Sequence, residues 1–151
     1  MEPMPAGITK SGDGIDGIAW NILGQTYVPK QLTEAGFSWH ATLPPGTMVP
    51  PHIHPTQDEF IYMLEGKLDL LLDDEPTFAE PGDLVRLPRG VPHGIFSNGD
   101  YPAKCLFWVT PTRRLYDLFW QLHHMGEADP AEIVAMSARH EVDFLPPPRE
   151  T

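Results

Sequence analysis

Between Ile18 and Thr110, apolar and polar residues alternate in short runs, and this alternation is the strongest constraint on the fold. The segment FSWHATL, residues 37–43, places its apolar side chains at every second position. Glycine, proline or an Asn-Gly pair bounds most of these runs. Short alternating segments that recur about every ten residues are typical of strands in a β-sandwich or barrel. The sequence therefore predicts an all-β body over residues 18–110.

The pattern changes after Pro111. Leu115, Leu118, Phe119 and Leu122 follow helical spacing and predict an amphipathic helix that ends near Met125.

A second helix is predicted to begin after Asp129, which can cap it, and to end near His140. Pro130 suits the first helical position, and Glu132 stands three residues after the cap. We expect this helix to bury Ile133, Val134 and either Met136 or Ala135. Residues 1–151 then form a single domain, with a β core at about 18–110 and a helical tail at about 111–145.

Composition narrows the range of partners and the compartment. The net charge of −11 argues against nucleic acid or an anionic membrane as a partner, since both need clustered basic residues. The N-terminal residues lack the basic-then-apolar pattern of a signal peptide, and the single cysteine, Cys105, cannot form an internal disulfide. We expect a cytoplasmic protein.

One polar cluster stands out in the β region. His52 and His54 are one residue apart, Glu59 follows, and His93 lies in a later strand-entry context. A strand directs residues i and i+2 to one face, so both early histidines can point inward. Three imidazoles and a carboxylate suit one divalent transition metal, which could be Fe, Mn, Ni, Co, Cu or Zn. The alternatives are an exposed polar loop after a Pro-Pro pair, and a Glu59 that acts as a catalytic base instead of, or in alternation with, metal ligation.

The spacing of these residues resembles two motifs of the cupin family. The first is Gly46, five residues, His52-Ile53-His54, four residues, Glu59, six residues, Gly66. The second is Gly82, five residues, Pro88-Arg89-Gly90, two residues, His93, with the closing Asn98 one residue later than usual. The resemblance implies a double-stranded β-helix, a jelly-roll-like barrel, with His52, His54, Glu59 and His93 as metal ligands.

Within the family, the chain most resembles the small quercetin 2,3-dioxygenase-like monocupins, including their helical tail and the ending HEVDFLPPP. That resemblance implies a dioxygenase acting on a small aromatic or enol-type substrate, with Glu59 taking the proton of the substrate hydroxyl. A metal-dependent lyase or isomerase would use the same ligands as a Lewis acid, with Tyr62 as a second base if it faced inward. A non-catalytic small-molecule-binding protein and an interaction protein are further alternatives.

Strand phase also predicts the substrate pocket and the assembly. The residues expected to line an apolar pocket above the metal, suited to a flat small molecule, are Phe37, Trp39, Ile61, Met63 and Ile95. We expect a homodimer whose seam is formed by the strands around Ile18–Val28, which are rich in Trp20, Ile22 and Leu23, with the 111–125 helix beside it.

Overall fold

The computed structural model describes residues 4–146, and alternation of buried and exposed side chains runs through its central strands. In strands β3 (Phe37–Leu43) and β10 (Ala103–Thr110), every second residue is buried. Successive side chains of a strand point to opposite faces, so the apolar phase of the sequence becomes the inner face of a sheet. The predicted all-β body follows from this pattern.

Eleven strands, two helices and one short 3₁₀ turn (Ile15–Gly17) make up the described part of the chain. The other strands are β1 (Trp20–Ile22), β2 (Gln25–Leu32), β4 (Met48–Ile53), β5 (Asp58–Glu65), β6 (Leu68–Leu72), β7 (Glu75–Ala79), β8 (Leu84–Leu87), β9 (His93–Phe96) and β11 (Asp143–Phe144). The helices are α1 (Leu115–Met125) and α2 (Pro130–Arg139).

The strands form two antiparallel sheets. One has the order β1-β2-β3-β10-β5-β8, and the other has the order β11-β4-β9-β6-β7. Their inner faces bury a core in which the rings of Trp39 and Phe107 stack with centroids 5.2 Å apart. The jelly-roll-like fold predicted from the sequence is confirmed.

Both predicted helices are present. The carboxylate of Asp129 accepts a hydrogen bond from the backbone N–H of Ala131, and Pro130 opens α2 as expected. The inner face of α2 differs from the prediction, because Ser137 is buried while Val134 and Ala135 are exposed. Ile133 and Met136 are half-buried. Two stripes of the helix satisfy helical spacing, and packing against the sandwich selects the one that contains Ser137.

The predicted helical tail ends in a strand. β11 pairs with β4, with Phe144 opposite His52, so residues 143–144 join the sheet that carries two histidines of the cluster. A two-residue strand is too short to show a period, which is why the sequence pattern did not predict it.

The predicted dimer seam needs correction. Trp20 and Ile22 are buried within the chain, and only Leu23 of the three is exposed. The outward N–H of Asn21 in β1 donates to Nδ1 of His123 on α1, so the helix already covers part of this sheet edge. The homodimer itself stays a prediction. Within residues 4–146, no helix is both long enough and apolar enough to cross a membrane.

Candidate metal centre

The four predicted metal ligands lie together between the two sheets. His52 in β4 and His93 in β9 are register partners on neighbouring strands of the five-stranded sheet. His54 follows the end of β4, and Glu59 is the second residue of β5 in the opposite sheet. All four side chains are buried, because each stands in the inward phase of its strand or just beyond it.

Their donor atoms converge. One ligand atom from each residue lies within 4.8 Å of those of the other three. Nε2 of His93 is 3.1 Å from Oε2 of Glu59, and Nε2 of His54 is 3.8 Å from Oε1 of the same carboxylate.

These facing atoms make no hydrogen bond of acceptable geometry. Nε2 of His54, Nε2 of His93 and Oε2 of Glu59 are all buried without a hydrogen-bond partner in the described part of the chain. Leaving such atoms unpaired costs about 1–3 kcal/mol each. A bound cation would satisfy all of them at once, so the donor set fits a transition metal ion.

The far side of each imidazole is anchored to an acceptor. Nδ1 of His52 lies 2.8 Å from the carbonyl oxygen of Pro50, and Nδ1 of His93 lies 3.4 Å from that of Val91. Because a carbonyl can only accept, these contacts place the proton on Nδ1 and leave the Nε2 lone pair free for a metal.

His54 is anchored by a side chain instead. Its Nδ1 lies 3.1 Å from Oε1 of Gln57, whose amide nitrogen donates to the carbonyl oxygens of Pro111 and Thr112. Those two bonds fix which end of the amide carries the nitrogen, so the oxygen faces His54 and accepts its Nδ1–H. Gln57 therefore gives His54 the same tautomer as the other two histidines.

The charges of the cluster suit a cation. Burial, followed by the neighbouring imidazoles of His93 and His54, lowers the pKa of His52 from 6.5 to about 3. Burial also lowers the pKa of His54. For Glu59, burial alone would raise the pKa, but the surrounding histidines outweigh it and lower the value to about 2. Near neutral pH, these two imidazoles are neutral and the carboxylate is ionised, which is the state that binds a metal.

An apolar cavity of about 50 Å³ opens onto the cluster. Because a buried water needs roughly 10–15 Å³, this cavity has room for a few waters or a small group. Helix α1 covers it with one face, and the segment from α2 to β11 closes another side. The apolar lining residues are Ile22, Leu23, Tyr27, Trp39, Val49, Ile95, Phe107, Leu115, Leu118, Phe119, Leu122, Val142 and Phe144.

Two of the five residues predicted from strand phase to line a substrate pocket lie in the wall of this cavity. Trp39 and Ile95 line the cavity, whereas Phe37, Ile61 and Met63 are buried in the core and do not. Each step of two residues along a strand moves about 6.6 Å, so the inward side chains of β5 after Glu59 recede from the cluster. Phe37 packs against Trp20 and helix α1 instead.

Two polar residues of the cavity wall, Tyr27 and Ser137, were not predicted. Tyr27 donates from its hydroxyl to Oε1 of the buried Gln25, over 2.8 Å. Burial, and after it the charge of Glu59, raises the pKa of Tyr27, so its proton stays in place. Ser137 of α2 also lines the cavity. Helical spacing in the sequence predicts the apolar face of α1. No sequence pattern indicates that Gln25 or Ser137 is buried.

Two other reactive groups lie away from the cluster. Tyr62, considered as a second base, points outward and is 40% exposed, in agreement with its predicted strand phase. Burial raises the pKa of Cys105 to about 12, so its thiol stays protonated and packs as a small apolar side chain.

Fold and site together define a two-sheet β protein with a buried group of three histidines and one glutamate that could hold a transition metal ion. A family model described as a cupin domain matches residues 39–109, which include all four residues. The chain belongs to the cupin superfamily.

The similar proteins include two from Streptomyces. The tetracenomycin polyketide synthase protein TcmJ of Streptomyces glaucescens is 34% identical over 77 residues, which are 51% of this chain and 52% of that protein. Protein SchB of Streptomyces halstedii is 30% identical over 102 residues, 67% of this chain and 74% of that protein. The chain thus spans only about half the length of the first of these relatives.

A solved structure supports the fold. The crystal structure described as a sugar phosphate isomerase from a cupin superfamily, from Silicibacter pomeroyi, is 29% identical with a TM-score of 0.55. The match covers 60% of this chain and 61% of that one.

Proposed function

We propose that the protein is a metal-dependent enzyme that binds a phenol or enol oxygen of a small, flat substrate and oxygenates it as a dioxygenase. The observation that carries the proposal is the convergence of three imidazoles and one carboxylate within 4.8 Å, next to a mostly apolar cavity. A substrate with one ionisable oxygen and an apolar body matches the polarity of this lining. Because the cavity as it stands holds only a few waters, the cover formed by α1 and β11 would have to move outward to admit such a substrate.

His52, His54, His93 and Glu59 would hold the metal. A divalent transition ion bound there supplies Lewis acidity, which lowers the pKa of a hydroxyl that it coordinates. Glu59 is ionised near neutral pH, so its carboxylate can accept the proton of the substrate hydroxyl at Oε2, an oxygen that makes no hydrogen bond. The apolar walls contributed by α1 and β11 exclude bulk water from the reacting centre.

The chemistry of the lining favours aromatic substrates over phosphorylated ones. Among the described residues, the wall of the cavity carries no lysine and no arginine. The nearby Arg89 is turned to the surface, where it pairs with Asp58. Similarity to a protein named for tetracenomycin polyketide synthesis agrees with a substrate rich in phenol and enol oxygens.

The second candidate is a Lewis-acid isomerase or lyase that uses the same ligands without oxygen. The similarity to a solved cupin described as an isomerase supports it.

Oxygen uptake separates the candidates. The protein, loaded in turn with each of the six metals, is mixed with catechols, flavonols or diketones in a sealed oxygen electrode. The dioxygenase proposal expects oxygen consumption matched by loss of substrate, and none with the His52→Ala, His93→Ala double variant. Substrate conversion that continues without oxygen would favour the isomerase or lyase, and binding without conversion would favour a non-catalytic binding protein.

A further inference from the structure

The wall of the cavity carries a polar group that does not belong to the metal centre. Ser137 is 1% exposed and lines the cavity, yet within residues 4–146 its hydroxyl has no hydrogen-bond partner. A serine inside a helix can donate to the carbonyl four residues earlier, which here belongs to Ile133, but no such bond is present. A buried hydroxyl without a partner is unfavourable unless something else binds it.

Trp39 contributes a second free donor. Its ring lines the same cavity, and its indole N–H is buried without an acceptor among the described residues. The hydroxyl of Tyr27, by contrast, is already committed as a donor to Gln25. The unused groups are the Ser137 hydroxyl, which can donate or accept, and the Trp39 N–H, which can only donate. An oxygen that accepts can pair with both.

Residues 142–144 link Ser137 to His52 of the metal centre. Its carbonyl oxygen accepts a hydrogen bond from the N–H of Val142 over 3.0 Å. Two residues later, the ring of Phe144 lies 5.4 Å from the ring of His52. Val142 and Phe144 line the same cavity as Ser137.

We infer that Ser137, assisted by Trp39, is the second anchor of a two-ended ligand: a flat compound with one oxygen at the metal centre and a carbonyl or hydroxyl oxygen at Ser137. This inference rests on the proposed function, because the first oxygen is the one expected at His52, His54, His93 and Glu59. It deepens that function by restricting the substrate class to compounds with two separated oxygen groups. Ser137 is then a specificity residue that tells such compounds from those with a single polar end.

The affinity of two matched probes tests the inference. The zinc-loaded protein is titrated with 3,4-dihydroxybenzaldehyde and with 4-methylcatechol, since zinc does not change oxidation state and so leaves catechols intact. The two probes share the catechol group and differ in whether the far substituent is a carbonyl or a methyl group. Ser137→Ala should raise the Kd of the aldehyde by about fivefold to tenfold and leave that of the methyl compound unchanged.

A stability measurement distinguishes a ligand-binding role of Ser137 from a purely structural one. If the hydroxyl is unpaired in the ligand-free, zinc-loaded protein, Ser137→Ala should raise the midpoint of urea unfolding. Alanine is also the better helix former, so the exposed neighbour Ala138→Ser measures that contribution alone. The rise for Ser137→Ala should exceed the fall for Ala138→Ser.

The outcomes are distinct. If both probes bind the unaltered protein and Ser137→Ala weakens them equally or not at all, the inference is overturned while the proposed function stands. A lower unfolding midpoint for Ser137→Ala, or a rise no larger than helix propensity explains, also overturns it. If neither probe binds the unaltered zinc protein, the proposed function fails and the inference falls with it.

Discussion

Oε1 of Gln57 lies 3.1 Å from Nδ1 of His54, and the same amide donates to the carbonyl oxygens of Pro111 and Thr112 just before helix α1. The buried side chain of Gln57 thus connects a candidate metal ligand to the residues that lead into α1, the helix that covers the cavity. The arrangement fixes the orientation and the tautomer of His54, both of which a metal requires.

Gln57→Leu should therefore weaken metal binding without removing a ligand. Loss of the acceptor frees the His54 ring, and the Kd for zinc should rise by about tenfold to a hundredfold. Competition with a chromogenic chelator measures the change, and Gln121→Leu on the exposed side of α1 serves as the matched control. Gln57→Glu keeps an acceptor for His54 but loses both donated bonds, so it should retain more metal affinity than Gln57→Leu. Equal zinc affinity for Gln57→Leu and the unaltered protein would contradict the role of Gln57.

The four ligands should act as one set. In the His52→Ala, His93→Ala double variant, two of four ligands are lost, and the bound metal should fall from about one equivalent per chain to near zero. The sandwich should still fold, because its core of apolar side chains does not depend on the ions. Elemental analysis and circular dichroism check the two statements, with the exposed His124→Ala as control. Full metal content in the double variant would refute the ligand assignment.

The metal-free protein should lose stability as the pH falls below 6.5. The folded pKa of His52 is about 3 against an ordinary 6.5, so between these values the unfolded chain binds a proton that the folded chain does not. Stability is complete above pH 6.5 and declines by about 1.4 kcal/mol per pH unit for this group as the pH falls. Glu59, with a folded pKa of about 2 against 4.5, adds a further decline below pH 4.5.

Urea unfolding in the presence of a chelator, from pH 7.5 to 4.5, measures this slope. His52→Gln should flatten it by about one proton, whereas His124→Gln should leave it unchanged. A free energy of unfolding that stays constant across this range would show that His52 is not held neutral in the folded state.

Substrate selectivity should respond to the cover of the cavity and not to the deeper core. Leu122→Ala removes side-chain volume from the wall that α1 contributes and so enlarges the cavity. The variant should admit bulkier catechols, which would be seen as a lower Kd for ligands with larger substituents. Met63→Ala, at a buried position that does not line the cavity, should cost about 2–5 kcal/mol of stability and leave the order of ligand affinities unchanged. If Met63→Ala changed the order of ligand affinities and Leu122→Ala did not, Met63 would instead be assigned to the lining of the pocket.

The sequence predicted most of what depends on local pattern. Strand phase placed Glu59 and Ile61 on the inner face of β5 and Tyr62 on the outer face, because alternation has a fixed period. The sequence also predicted the helix cap at Asp129, because the hydrogen bond that defines this cap joins residues only two positions apart.

What the sequence could not supply are relationships between distant segments. Whether Ser137 or Val134 faces inward depends on how α2 packs, and the pairing of Phe144 with His52 joins positions 92 residues apart. The depth of Ile61 and Met63 relative to the cluster likewise follows from how the sheets are covered. Non-local packing decides these points, and no local periodicity encodes it.

The pairing of β11 with β4 has a consequence for the order in which the protein matures. A chain emerges from the ribosome with its N-terminus first, so all four candidate ligands, residues 52–93, are synthesised before α1, α2 and β11. A metal ion could then reach the cluster while it still lies open, and the last part of the chain would close over it. In the finished protein, exchange of that ion would be limited by the rate at which the tail detaches, so the metal acquired first would tend to be the metal that is kept.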